Sequence, residues 1–128
     1  MRVLIDSHAL IWATVEPHLL SVRARQLLSH PEHELLFSMV SLWELSIKIS
    51  NGKLTPLGAS ITDVIEVLEQ RGAQLLPIRT EHILRLESLP LHHRDPFDRL
   101  LVAQALEEDL AILTSDSLLR KYPAKVVW

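Results

Sequence analysis

Four acids in this chain stand where carboxylates could share a cation: Asp6, Glu44, Asp98 and Asp116. Asp6 directly follows the apolar run Val3-Leu4-Ile5, and Asp116 follows Leu110-Ala111-Ile112-Leu113 after a two-residue step. Glu44 lies in the helical stretch Ser41–Lys48, and Asp98 falls just inside a helix that opens at Pro96. Like charges brought together need raised basicity or a cation between them. A cluster of hard oxygen donors suits Mg²⁺ or Mn²⁺. Such an ion clamps the oxygens of a phosphodiester and activates a water for in-line attack. That chemistry needs no nucleophilic side chain, and none is obvious here. The chain has no cysteine, which excludes disulfides, thiolate metal sites and a cysteine nucleophile.

The elements that must position these acids can be read from the same residues. Arg2-Val3-Leu4-Ile5, Glu34–Ser38, Gln74–Ile78 and Leu110–Leu113 read as strands, with a small terminal strand at Lys125–Trp128. Pro77 places the third strand at an edge or ends it. Helical stretches separate them: Ala9–Ala13, a segment capped by Ser21 and ended by His30-Pro31, and Ser41–Lys48 closed by Asn51-Gly52. Pro56–Ala59 reads as a loop. Ser60 and Asp63 form a capping box for a helix with Ile61, Val64, Ile65 and Leu68 on one face, and Gly72 just past its end. Thr80 caps a short helix through Leu86. The longest helix is expected from Asp95 as cap and Pro96 as first residue to about Asp109, with Phe97, Leu100, Leu101 and Ala105 on one face. Strands alternating with helices imply an α/β/α sandwich around a mostly parallel sheet. Ligands bind such sheets beyond the carboxyl ends of the strands, and all four acids fall at that edge.

Each acid also has a purely structural explanation. Asp6 can end a strand in a turn. Glu44 can complete a capping box with Ser41 or pair with Lys48 one turn on. Asp98 can be the cap partner of Asp95, and Asp116 a turn residue with Ser115. Singly these compete with a site; all four at one edge favour the site.

Length and composition set the frame. At 128 residues and 48% apolar, the chain suits a single domain spanning 1–128 with one core. The acid at position 6 comes too soon for a signal peptide, and no stretch approaches a membrane span, so a soluble cytoplasmic protein is expected. The net charge of −3 does not exclude a nucleic-acid partner. If four of the sixteen acids hold metal, the other twelve face thirteen Lys and Arg.

Asp6-Ser7-His8-Ala9-Leu10-Ile11-Trp12, Ser41-Leu42-Trp43-Glu44-Leu45, Asp95-Pro96-Phe97-Asp98-Arg99-Leu100-Leu101 and Thr114-Ser115-Asp116 together resemble the PIN-domain ribonucleases, above all the VapC toxins of bacterial toxin–antitoxin pairs. The resemblance covers essentially the whole chain in the family's order, including the 18-residue step from Asp98 to Asp116. It implies a PIN-like fold and a Mg²⁺- or Mn²⁺-dependent endoribonuclease, restrained by a VapB-type antitoxin and often homodimeric. The acids it carries over are Asp6, Glu44, Asp98 and Asp116, as catalytic residues and metal ligands. Asp95 matches the acid preceding the main one and is a helix cap and outer group. Ser7 stands where Thr is common, and either hydroxyl can bond a neighbouring carboxylate. Thr114 would orient acids from behind. Asp116 is followed by Ser117, where relatives often carry Pro.

Other residues carry weaker signals. Lys48, Arg94 and Arg99 flank the acids and are candidates for contacts to substrate phosphates, against solvated or ion-paired charge. Adjacent His92 and His93 would diverge in an extended loop, and no His-x-x-x-His pair lies on a helix, so neither zinc nor a catalytic histidine is expected. Trp12 and Trp43 could stack bases, but their apolar helical neighbours favour core or subunit packing. Trp12, Leu19 and Leu20 are candidates for a dimer or antitoxin surface. Two rivals remain. An aspartyl-nucleophile phosphatase also starts from an acid after its first strand, but needs a second Asp two residues on, where His8 stands. A PIN-like module that binds RNA or a partner without cutting would not need all four acids.

Overall fold

In the computed structural model, which describes residues 1–52 and 60–128, five parallel strands are ordered β3-β2-β1-β4-β5. They are β1 (Arg2–Ile5), β2 (Glu34–Ser38), β3 (Gln74–Leu76), β4 (Ala111–Leu113) and β5 (Val126–Val127). Among the described residues six helices connect them: α1 (Ser7–Val15), α2 (Val22–Ser29), α3 (Met39–Ser50), α4 (Ile61–Gln70), α5 (Thr80–Glu87) and α6 (Pro96–Glu108). Short 3₁₀ turns lie at Pro17–Leu19 and Ser117–Lys121. The loop expected at Pro56–Ala59 lies outside the described residues.

Alternation along each strand divides the core in two. Val3, Ile5, Leu35, Phe37, Ala111 and Leu113 face α1, α2 and α4. Leu4, Leu36 and Ile112 face α6, with Leu119 and Tyr122. The result is the expected three-layer α/β/α arrangement, and the strands read as unbroken apolar runs because both faces are covered. Helix α6 reads less amphipathic than expected: Leu100 to Ala105 are all buried, including Gln104.

Several boundaries move for local reasons. Helix α3 begins two residues before Ser41, because Ser38 is its N-cap and accepts from the Val40 N–H at 3.0 Å. Asp6, rather than ending in a turn, caps α1 from Ser7 onward. Strand β3 stops at Leu76, at the sheet edge, with Pro77 next. Thr80 is the first residue of α5, not its cap; Arg79 holds that position. The Ser60–Asp63 capping box forms as expected, and Gly52 and Gly72 take positive φ angles of 74° and 77° past their helices.

Candidate active site

Sheet order brings the acids together. β1 pairs on one side with β2 and on the other with β4, with Ile5 opposite both Phe37 and Leu113. Asp6 therefore leaves the sheet beside Thr114, its N–H donating to the Leu113 carbonyl at 3.1 Å. Helix α3 departs from the next strand, with Val40 in one core and Leu42 and Leu45 in the other. Helix α6 crosses behind, presenting its first turn to the same edge.

Three of the four acids sit at helix N-termini, where unpaired N–H groups and the helix dipole favour negative charge. The Asp6 carboxylate accepts from the Ala9 N–H at 2.7 Å. Asp116 Oδ1 accepts from the Leu118 N–H at 2.9 Å, and the Thr114 hydroxyl accepts from the Asp116 N–H. Asp98 lies in the first turn of α6. The cap there is Asp95, whose carboxylate accepts from the Phe97 N–H at 2.9 Å. Asp98 does not reach back to complete a capping box, because the Asp95 N–H donates to His93 Nδ1. Its carboxylate is left facing the site.

Glu44 is buried and held at both oxygens. Ser7 Oγ donates to Oε1 at 2.6 Å, and Lys48 Nζ pairs with Oε2 at 3.0 Å. The i,i+4 pair with Lys48 thus forms, whereas the Ser41 capping box does not; the Ser41 hydroxyl is buried without a hydrogen-bond partner.

The electrostatics report crowding. Burial pushes the Asp98 carboxyl up to about 7, the charges of Asp95, Glu44 and Asp6 push the same way, and His93 beside it acts in the opposite sense. Burial also raises Asp6, against the lowering effects of the Thr114 hydroxyl and the Ala9 N–H. The atoms of His93, Asp98 and Asp116 that could bind an ion lie within 4.8 Å of one another. Asp6 and Glu44 fall outside that close group, which pairs two carboxylates with an imidazole. Hard carboxylate oxygens that resist ionising while uncompensated fit a divalent cation.

His93 is the site residue that sequence reasoning missed. The two neighbouring histidines do diverge: the His92 ring packs on Tyr122, while His93 Nε2 lies 2.8 Å from Asp116 Oδ2 and 3.3 Å from Asp98 Oδ2. Its place two residues before the Asp95 cap was the available signal.

The flanking cations separate. Arg94 is exposed and lines a groove beside the acids with Glu44, Ile47, Lys48 and Phe97. Arg99 turns away, donating to the Leu89 carbonyl at 3.2 Å. Trp43 is exposed and meets Phe97 edge-on at 4.8 Å, so it is not a core residue. Trp12 is half-buried against Trp128, and Leu20 is buried while Leu19 is exposed, which removes Leu20 from any docking surface. No helix among the described residues is long and apolar enough to cross a membrane.

Comparison with known proteins bears on the family and the fold. The chain is 30% identical to ribonuclease VapC22 of Mycobacterium tuberculosis, over 98% of each chain. Its fold matches the VapBC2 structure from Rickettsia felis bound to a promoter DNA fragment, with a TM-score of 0.74, 14% identity, and 99% and 98% of the two chains covered. It also matches DNA-bound VapBC from Salmonella typhimurium, with a TM-score of 0.69, 15% identity, and 99% and 97% covered. Residues 3–125 match the PIN-domain family profile, and the chain belongs to that family, in its VapC branch.

Proposed function

We propose that this protein is a metal-dependent endoribonuclease toxin, acting in the cytoplasm and restrained by a VapB-type antitoxin. The observation that carries the proposal is Asp98 and Asp116 with ligand atoms within 4.8 Å of each other, with the charges of Asp6 and Glu44 near enough to Asp98 to raise its carboxyl. Kinship with a VapC ribonuclease and fold likeness to VapBC complexes support the substrate and the partner.

Asp6, Asp98 and Asp116 are the residues that would hold Mg²⁺ or Mn²⁺. Bound there, such an ion supplies Lewis acidity toward phosphate oxygens and lowers the cost of ionising water. Glu44 orients the attacking water or adds a ligand oxygen; Ser7 and Lys48 fix its carboxylate for that task. Thr114 and Asp95 brace the acids from behind. Arg94, exposed in the adjacent groove, is placed to meet a substrate phosphate.

The test is cleavage of a mixed RNA panel by purified protein with Mn²⁺, Mg²⁺ or EDTA, beside Asp6→Asn, which removes a charge and keeps the shape. Cleavage should require metal and fall at least about 100-fold in the variant. Activity unchanged in EDTA and in Asp6→Asn would refute the metal site. Bound metal with no cleavage of any RNA would favour a silent binding module.

A further inference from the structure

His93 stands between Asp98 and Asp116, and its surroundings determine what it can do there. The Asp95 N–H donates to Nδ1 at 3.0 Å, so Nδ1 is an acceptor and the ring proton is on Nε2. Nε2–H donates to Asp116 Oδ2 at 2.8 Å, with Asp98 Oδ2 at 3.3 Å from the same nitrogen. For Nε2 to bind a metal, the proton would have to move to Nδ1, where it would point at the Asp95 N–H. The backbone therefore disfavours His93 as a ligand and sets it as a donor.

The loop holding the ring is fixed without help from an ion. The Tyr122 hydroxyl accepts from the N–H groups of both His92 and His93, at 3.1 and 3.0 Å. Arg99, on α6, donates to the Leu89 carbonyl at the start of the loop. Tyr122 is itself buried in the α6-side core. The imidazole is thus anchored through the fold, and it ties the segment after β4 to the entrance of α6.

We propose that His93 is a positioning residue of the metal site: as an Nε2–H donor it holds Asp116 against Asp98 in the arrangement an ion requires, without itself binding the ion. The assignment rests on the metal-site reading above and adds a residue to it. A donor behind a ligating carboxylate typically changes metal affinity by about 10–100-fold when removed.

The experiment is titration of metal-free protein with Mn²⁺, followed by calorimetry, and pulsed electron paramagnetic resonance of the bound ion. His93→Ala should weaken Mn²⁺ binding by about 10–100-fold. His93→Gln, whose side-chain amide keeps an N–H donor at similar reach, should recover most of the loss. The wild-type spectrum should show no directly bound imidazole nitrogen. A directly coupled nitrogen that disappears in His93→Gln would overturn the proposal by making His93 a ligand. Unchanged or tighter Mn²⁺ binding in His93→Ala would overturn it by making the histidine dispensable or a blocker. Wild-type protein that binds no Mn²⁺ would sink the metal site itself, and this assignment with it, before any variant is compared.

Discussion

Glu44 shows how much arrangement one buried acid requires. Its carboxylate is out of water, so each oxygen needs a partner, and it has one on each side: Ser7, the first residue of α1, and Lys48 from the next turn of α3. The two partners differ in kind. Lys48 supplies charge, while Ser7 supplies direction from a different element. In Ser7→Ala, Glu44 keeps its charge partner but loses its orientation relative to Asp6. Cleavage kinetics should show kcat lowered about 10-fold or more with KM nearly unchanged, since no substrate contact is lost. A change confined to KM would place Ser7 in substrate binding instead. Asp98 makes the complementary point. Its neighbour Asp95 satisfies the helix end, which leaves the Asp98 carboxylate available to the site rather than engaged in a cap.

At the scale of elements, the legible features were local ones. An acid directly after an apolar run, a Pro at the first position of a helix and a Gly past its last turn can each be read within a few residues. Those signals located β1, α4 and α6 and the edge to which the acids were assigned. What was not legible depends on contacts distant in sequence. Ser38 bonds Gln104 across a separation of 66 residues, and this places a polar side chain in the middle of the buried face of α6. Gln104 Nε2 in turn meets the Pro77 carbonyl at 3.3 Å, and His82 Nδ1 at the same distance. His82, fully buried, accepts from the Arg79 N–H through Nδ1 and reaches Glu108 with Nε2 at 2.9 Å. This network joins the end of β2 to α5 and α6, and so fixes where α3 and its Glu44 begin. His82→Ala would leave a cavity and unpaired polar atoms together. Urea unfolding should show a loss of about 2–4 kcal/mol. Ile83→Ala, one residue on and exposed, should stay within about 0.5 kcal/mol. Equal effects at the two positions would mean that α5 is held by its outer face rather than by the network.

Across the whole molecule, the site is a cost that the rest of the fold bears. Three layers of apolar packing hold Asp6, Glu44, Asp98 and Asp116 at one edge, although their charges repel. This opposition makes stability depend on pH in a direction unusual for acids. Asp98 titrates near 3.8 when unfolded and at about 7 when folded. Between those values the folded chain keeps a proton that the unfolded chain has lost, so the stabilisation is full below about pH 4 and is lost as pH rises through about 7. Burial raises Asp6 as well, which acts in the same sense. Asp98→Asn is neutral at every pH and lacks this loss. In EDTA, thermal melts of wild type and Asp98→Asn should nearly coincide at about pH 4, and at about pH 8 the variant should melt higher by roughly 10 °C. Mn²⁺ at the higher pH should reverse the order, because ion binding to the folded state adds stability and the wild type retains the ligand. Parallel melting curves at all pH values, with or without Mn²⁺, would show that the acids are not crowded in solution. A gap that opens in EDTA and inverts with Mn²⁺ would tie the destabilising charge and the metal site to the same carboxylate.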